Sequence, residues 1–131
     1  MDRKETAVMY KHSGCNCAQA VIAAYKDELK ISEHDAKRLG AAFGSGMGGM
    51  EGTCGALCGA ETVLGLLKYT DAPIMRQARE LHSKFTQACG ASICRELKQV
   101  TDGKPLCSCD DCVRNAVSVL DGILEQEYEY H

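Results

Sequence analysis

The sequence predicts an all-α fold, a compact bundle of five or six helices with cysteines near several helix N-termini. Three observations lead there. Apolar residues recur at three- and four-residue spacing in several stretches, good helix-capping residues precede most of them, and no convincing alternating strand appears. With 131 residues, of which 45% are hydrophobic, the chain reads as one cysteine-rich domain, 1–131, able to bury its own core.

The first predicted helix runs from Asn16, as cap, to about Leu29, with Ala18, Val21, Ile22 and Tyr25 on its apolar stripe. Ser32 caps a second through Ala36, Leu39 and Ala42 to Phe43, with Asp35 in its first turn, and Gly44 ends it. The stretch GSGMGGMEG is read as a flexible or left-handed loop with Met47 and Met50 as packing residues, leading to Thr53 as cap of a third helix that ends near Lys68. Gly44, Gly46 and Gly49 satisfy GxGxxG, but they follow a helix and no βαβ unit surrounds them, so dinucleotide binding is set aside. A fourth helix starts at Asp71 as cap, tolerates Pro73 in its first turn and closes at Gly90, with Ile74, Ala78, Leu81 and Phe85 at core spacing. Ser92 caps a short fifth segment, and a final helix from about Asp111 to Glu127 carries Val113, Val117, Leu120 and Leu124 on one flank and Cys112, Ala116, Val119 and Ile123 on the neighbouring one.

Fifteen basic and eighteen acidic residues give a formal charge of −3 with no sustained basic run, which argues against nucleic-acid binding. No apolar stretch is long enough for a membrane span, and MDRKETAVMYKHSG lacks a signal-peptide core, so a cytoplasmic location is expected.

Cysteine is the outlier, nine in number, and the odd count leaves at least one sulfur outside any internal pairing. In a reducing compartment such enrichment points to metal ligation or thiol chemistry. Cys17, Cys54, Cys94 and Cys112 each fall in the first turn of a different predicted helix, where unpaired N–H groups and the helix dipole favour thiolate. Four converging thiolates demand a cation, a cluster or disulfide formation. Cys109 and Cys112 also form a CxxC at a helix start, a dithiol arrangement, although its two aspartates oppose a low thiolate pKa. For Cys15, Cys58, Cys89, Cys107 and Cys109 taken singly, burial as a small apolar side chain is the economical reading.

Other chemistry is thinly signalled. His12 lies near the CNC stretch as a candidate ligand or base, His34 and His82 read as surface residues, and His131 sits at the terminus. Glu51 and Glu61 bracket the third-helix start without forming a two-acid site, and Ser13 and Ser108 have no base that the sequence defines.

NCAQAV at Asn16–Val21, the glycine-rich stretch before TCGALCGA, and CREL at Cys94–Leu97 followed by Cys112 resemble, in order, a family labelled redox-active and named for a CGAxxG element and four characteristic cysteines. The similarity spans roughly Tyr10 to Leu120. It implies Cys17, Cys54, Cys94 and Cys112 as the characteristic four, and likeness to a domain associated with Fe–S binding in an unusual cytochrome. No CxxCH is present, so haem chemistry does not follow. Cys58 occupies a variable position of the element, whose glycines imply close helix packing or access to the sulfur.

Three functions compete. The first is a redox or electron-transfer protein holding an Fe–S cluster or another thiolate-bound metal on Cys17, Cys54, Cys94 and Cys112, with a redox protein as partner. The second is a metal-free thiol–disulfide protein using Cys109 with Cys112, or Cys54 with a distant resolving thiol. The third is a scaffold with structural zinc. A homodimer is compatible with all three.

Overall fold

A computed structural model describes residues 2–129. It is an all-α bundle of eight helices among the described residues, six of them eight residues or longer, leaving aside the turn Gly44–Met47, where Ser45 and Gly46 are left-handed. They are α1 (Arg3–His12), α2 (Cys17–Ala24), α3 (Lys26–Leu29), α4 (Glu33–Gly40), α5 (Gly55–Lys68), α6 (Met75–Cys89), α7 (Cys94–Leu97) and α8 (Cys109–Glu129). No helix among the described residues is long and apolar enough to cross a membrane. The expectation placed at His131 lies outside the described residues.

Helix α1 was not expected from the sequence, because its short, charged stretch has little apolar periodicity. It is held by its cap, Asp2, whose carboxylate accepts the Glu5 N–H, and by docking. Arg3 pairs with Asp121 at 2.9 Å and with Glu28, and its guanidinium sits 4.4 Å above the Tyr25 ring. Asn16 caps α2 as expected, in a reciprocal capping box with Gln19.

The helix expected to run from Asn16 to Leu29 is interrupted at Tyr25, which divides it into α2 and the one-turn α3. Tyr25 is wholly buried, and its hydroxyl donates to Asp121 at 2.7 Å. Breaking the helix there accompanies placement of a polar tip where α8 can satisfy it.

Ser32 caps α4, but this helix stops at Gly40 and a 3₁₀ turn covers Ala41–Phe43. Leu39, expected on the apolar stripe, is 41% exposed, because Ala36 and Gly40 are the α4 residues turned inward. Thr53 does not cap α5. It forms a β-bridge with Ile93, and Cys54 takes the cap position. Asp71 and Pro73 precede α6 instead of starting it, with Asp71 in a left-handed conformation and Ile74 at the cap. Ile93, not Ser92, caps α7. The loop before α8 holds a small unexpected antiparallel hairpin, Val100–Thr101 (β1) with Lys104–Pro105 (β2), turning through left-handed Asp102 and Gly103.

Helix α2 packs against α1, α4, α5 and α8, while α8 also covers α1, α5 and α6. The core is built around Tyr25, Ile22, Leu57, Leu64, Leu81, Phe85, Leu97, Leu120 and Ile123, all essentially inaccessible.

The CGAxxG glycines explain the close approach of α2 and α5. A Cβ at Gly59 would lie 2.8 Å from the Ala18 carbonyl oxygen, and one at Gly55 would lie 2.9 Å from the Phe43 carbonyl oxygen. Hydrogen at these positions lets the two backbones meet.

Candidate functional site: a buried cysteine cluster

The segments carrying the cysteines are tied together by backbone hydrogen bonds. The Cys54 N–H donates to the Ser92 carbonyl at 2.7 Å, Cys94 N–H to Gly52 at 3.0 Å and Arg95 N–H to Met50 at 2.8 Å, which clips the start of α5 to the start of α7. The glycine-rich loop reaches this clip through left-handed Ser45, Gly46 and Met47. A Cβ at Gly46 would stand 2.6 Å from the Cys94 Cβ, so close passage over that cysteine accounts for the glycine. Met47 and Met50, expected to pack, are 53% and 37% exposed on the outside of the loop.

After the hairpin, the Cys107 N–H donates to Leu97 at 3.0 Å, returning the chain to α7. Ser108, which had no evident partner in the sequence, caps α8. Its hydroxyl accepts the Asp111 N–H at 3.1 Å and its carbonyl the Cys112 N–H at 2.8 Å. Helix α8 therefore starts at Cys109, two residues earlier than expected, and places Cys109 and Cys112 in its first turn.

Cys89, Cys107 and Cys112, all buried, have sulfurs within 4.8 Å of one another. Cys89 is the last residue of α6, stopped there by left-handed Gly90. Around the triad, the Asn115 amide donates to Cys89 Sγ at 3.3 Å, and Lys98 Nζ donates to the Cys107 carbonyl at 3.2 Å and to Cys112 Sγ at 3.6 Å. A surface cavity of about 470 Å³, lined in part by Leu106, Cys107, Ser108, Asp111 and Asn115, opens beside it.

Of the four cysteines picked out in the sequence, Cys54 and Cys112 are near enough to shift each other's ionisation. Cys17 is instead coupled in its ionisation chiefly to Cys109. Cys94 is buried within electrostatic reach of Cys54 and Cys109. Cys58 sits a turn farther along α5, its thiol donating to the Thr53 carbonyl at 3.8 Å, and burial pushes it up to about 11. Cys15 is buried apart, beside Lys37, Glu33 and Lys11. His12 contacts Asp110 at 2.7 Å, next to Cys109, and not a sulfur.

The protonation pattern follows from who donates to whom. The Cys112 thiol is raised, first by its neighbours Cys54 and Cys89 and then by burial, and it donates to the Cys107 carbonyl at 3.8 Å. Cys54 is lowered to about 7, first by Cys112 against the opposing effect of burial. Although its sulfur makes no regular capping bond, it also faces the N–H groups of Ala56 and Leu57. Cys89 is lowered to about 6 by Cys112, with burial opposing and Asn115 assisting. Burial raises Cys107 to about 11. Burial would pull Lys98 down, but the sulfurs of Cys112, Cys109 and Cys54 outweigh it and hold the ammonium charged.

Cys89, Cys107 and Lys98 are the members that sequence reasoning missed. Cys89 and Cys107 read as packing thiols, and Lys98 as one lysine among many. The available signals were a cysteine against a helix-ending glycine, another inside CSC, and a lysine one turn beyond Cys94.

No curated protein and no solved structure matches the chain. The family model described as "Putative redox-active protein (C_GCAxxG_C_C)" matches residues 15–123, so the chain belongs to that family.

Proposed function

We propose that this is a small redox or electron-transfer protein whose clustered cysteines hold an Fe–S cluster or another thiolate-ligated metal. The observation that carries the reading is the buried triad Cys89, Cys107 and Cys112, whose sulfurs lie within 4.8 Å of one another. The donor set fits such a group: it is all sulfur, it is buried, and Lys98 supplies a positive charge beside it. Cys89, Cys107 and Cys112 would hold the group, with Cys54 the neighbouring sulfur best placed to join through its nearness to Cys112. When bound, an Fe–S or related centre supplies a one-electron couple. The chain's own residues exclude water through the core, keep Lys98 charged against the sulfurs, and hold Cys89 with Asn115. Electron transfer requires a donor and an acceptor, so a redox protein partner belongs to the same reading.

Anaerobic purification followed by metal and acid-labile sulfide analysis tests this. Iron and sulfide in comparable amounts, with visible absorbance lost in Cys112→Ser but retained in Cys58→Ser, is expected. A colourless, metal-free protein overturns the reading, and zinc without sulfide replaces it with a structural zinc site.

A further inference from the structure

The cavity of about 470 Å³ beside the triad has the size of a small-molecule site. Its walls come from the end of α6, the strand β2, the loop into α8 and the first two turns of α8. Two of its lining residues touch the triad directly. Cys107 is a member of it, and the Asn115 amide donates to Cys89 Sγ at 3.3 Å. The same cavity holds opposite charges. Lys104 forms no ion pair among the described residues, and Asp111 places one carboxylate oxygen on Arg114 at 3.0 Å, leaving its other oxygen without a partner among the described residues. Exposed Leu106 adds an apolar wall.

The triad is also one sulfur short of a full donor set. Thiolate-bound zinc and Fe–S centres commonly take four cysteine sulfurs, whereas three lie within 4.8 Å of one another here, and Cys54 is outside that group. A molecule seated in the cavity lies against Cys107, where a further sulfur is wanted.

From this juxtaposition we infer that the cavity binds a small zwitterionic thiol, of the cysteine or glutathione class, with its sulfur beside Cys107. Lys104 takes the ligand's carboxylate, Asp111 its ammonium, and Leu106 covers the apolar part between them. A simple anion such as phosphate would meet Lys104 but be repelled by Asp111. The ligand's sulfur is the fourth donor to the group held by Cys89, Cys107 and Cys112. That role rests on the metal reading, while binding in the cavity does not. On taking the place, the thiol gives its proton to solvent and no electron moves.

The full-length protein, reduced and kept anaerobic, is titrated calorimetrically with glutathione and with the analogue in which serine replaces its cysteine. Both titrations are made before and after loading with cobalt(II) as the probe metal. The metal-free protein is expected to bind one equivalent of either compound with equal affinity. In the loaded protein glutathione alone is expected to bind more tightly, and the thiolate-to-cobalt absorption to rise by about a third as three sulfurs become four. Lys104→Glu is expected to weaken glutathione binding about fivefold, and Lys4→Glu, the same charge change outside the cavity, to leave it unaltered. Circular dichroism is expected to show both variants folded as the parent.

The inference is overturned if glutathione binds neither form, or if the two charge reversals weaken it equally. It is equally overturned if the loaded protein shows four-sulfur absorption before glutathione is added, or gains none afterwards, outcomes that leave the metal reading standing. A protein that takes up neither iron nor cobalt, yet binds glutathione through Lys104, overturns the metal reading and leaves the cavity as a thiol site without its fourth-donor role.

Discussion

Lys98 is the residue on which the sulfur cluster depends. A half-buried ammonium costs desolvation, and this one is retained because Cys112, Cys109 and Cys54 surround it. The sulfurs gain in return: Cys109 is lowered to about 5, chiefly by its neighbour Cys17, with burial opposing and the Lys98 charge assisting. An acid stabilised in its charged form by a cation becomes weaker when that cation is removed. In Lys98→Gln, the pH profile of Cys109 alkylation should therefore shift its midpoint upward, by about 1–3 pH units. The measurement is the alkylation rate of Cys109 between pH 4 and 10, read by peptide mass spectrometry, and an unmoved midpoint rejects the role given to Lys98. Little of this was legible in the sequence, since a lysine's value as a counter-ion depends on which sulfurs the fold brings to it. Cys54 was legible in part: its helix start was located to within one residue, and its exchange of roles with Thr53 reflects the Thr53–Ile93 bridge, a contact between distant segments.

Among the elements, α2 and α5 show how the glycines of CGAxxG serve the cluster without entering it. Gly59 faces the Ala18 backbone and the Val21 side chain, and the residue after Cys17 is that same Ala18. Closeness of the two helices at Ala18 thus brings Cys17 and Cys54 within electrostatic reach. Gly59→Ala forces a Cβ to within 2.8 Å of a backbone oxygen, which only helix separation relieves. It should destabilise the fold by about 1–3 kcal/mol, measured by urea unfolding, whereas Gly65→Ala, whose Cβ meets open space, should be neutral or stabilising. Equal effects at the two glycines would refute the packing role. Helix periodicity made α5, α6 and α8 readable because each buries a broad apolar face. Helix α1 was hidden because its anchors, Arg3 on Tyr25 and Asp121, act between elements remote in the chain. The α2–α3 break was hidden for the same reason, since the partner of Tyr25 lies on α8.

For the whole molecule, the core and the cysteine cluster are separable supports. Tyr25, Phe85, Leu64, Leu81, Leu120 and Ile123 are buried without help from any bound group, unlike a small metal-dependent fold in which the ion replaces a core. Chelation of a bound metal should therefore lower the melting temperature while preserving the helical signal at 25 °C, followed by circular dichroism. A chain that loses its helices on chelation would contradict this division. Apolar periodicity and helix caps made the all-α class readable. They could not give the grouping of Cys89, Cys107 and Cys112, which depends on where a helix end, a loop and a helix start meet in space.

The order of the sulfurs along the chain carries a last consequence, for biosynthesis. Cys107, Cys109 and Cys112 lie within a few residues of one another, whereas Cys17 is most of the chain away from Cys109. Loop closure favours short connections, so in an unfolded chain exposed to oxidant, neighbouring cysteines meet long before Cys17 arrives. Bonds made among those neighbours would tether the start of α8 before α2 has docked. A chain kept reduced until its two ends have come together avoids these tethers.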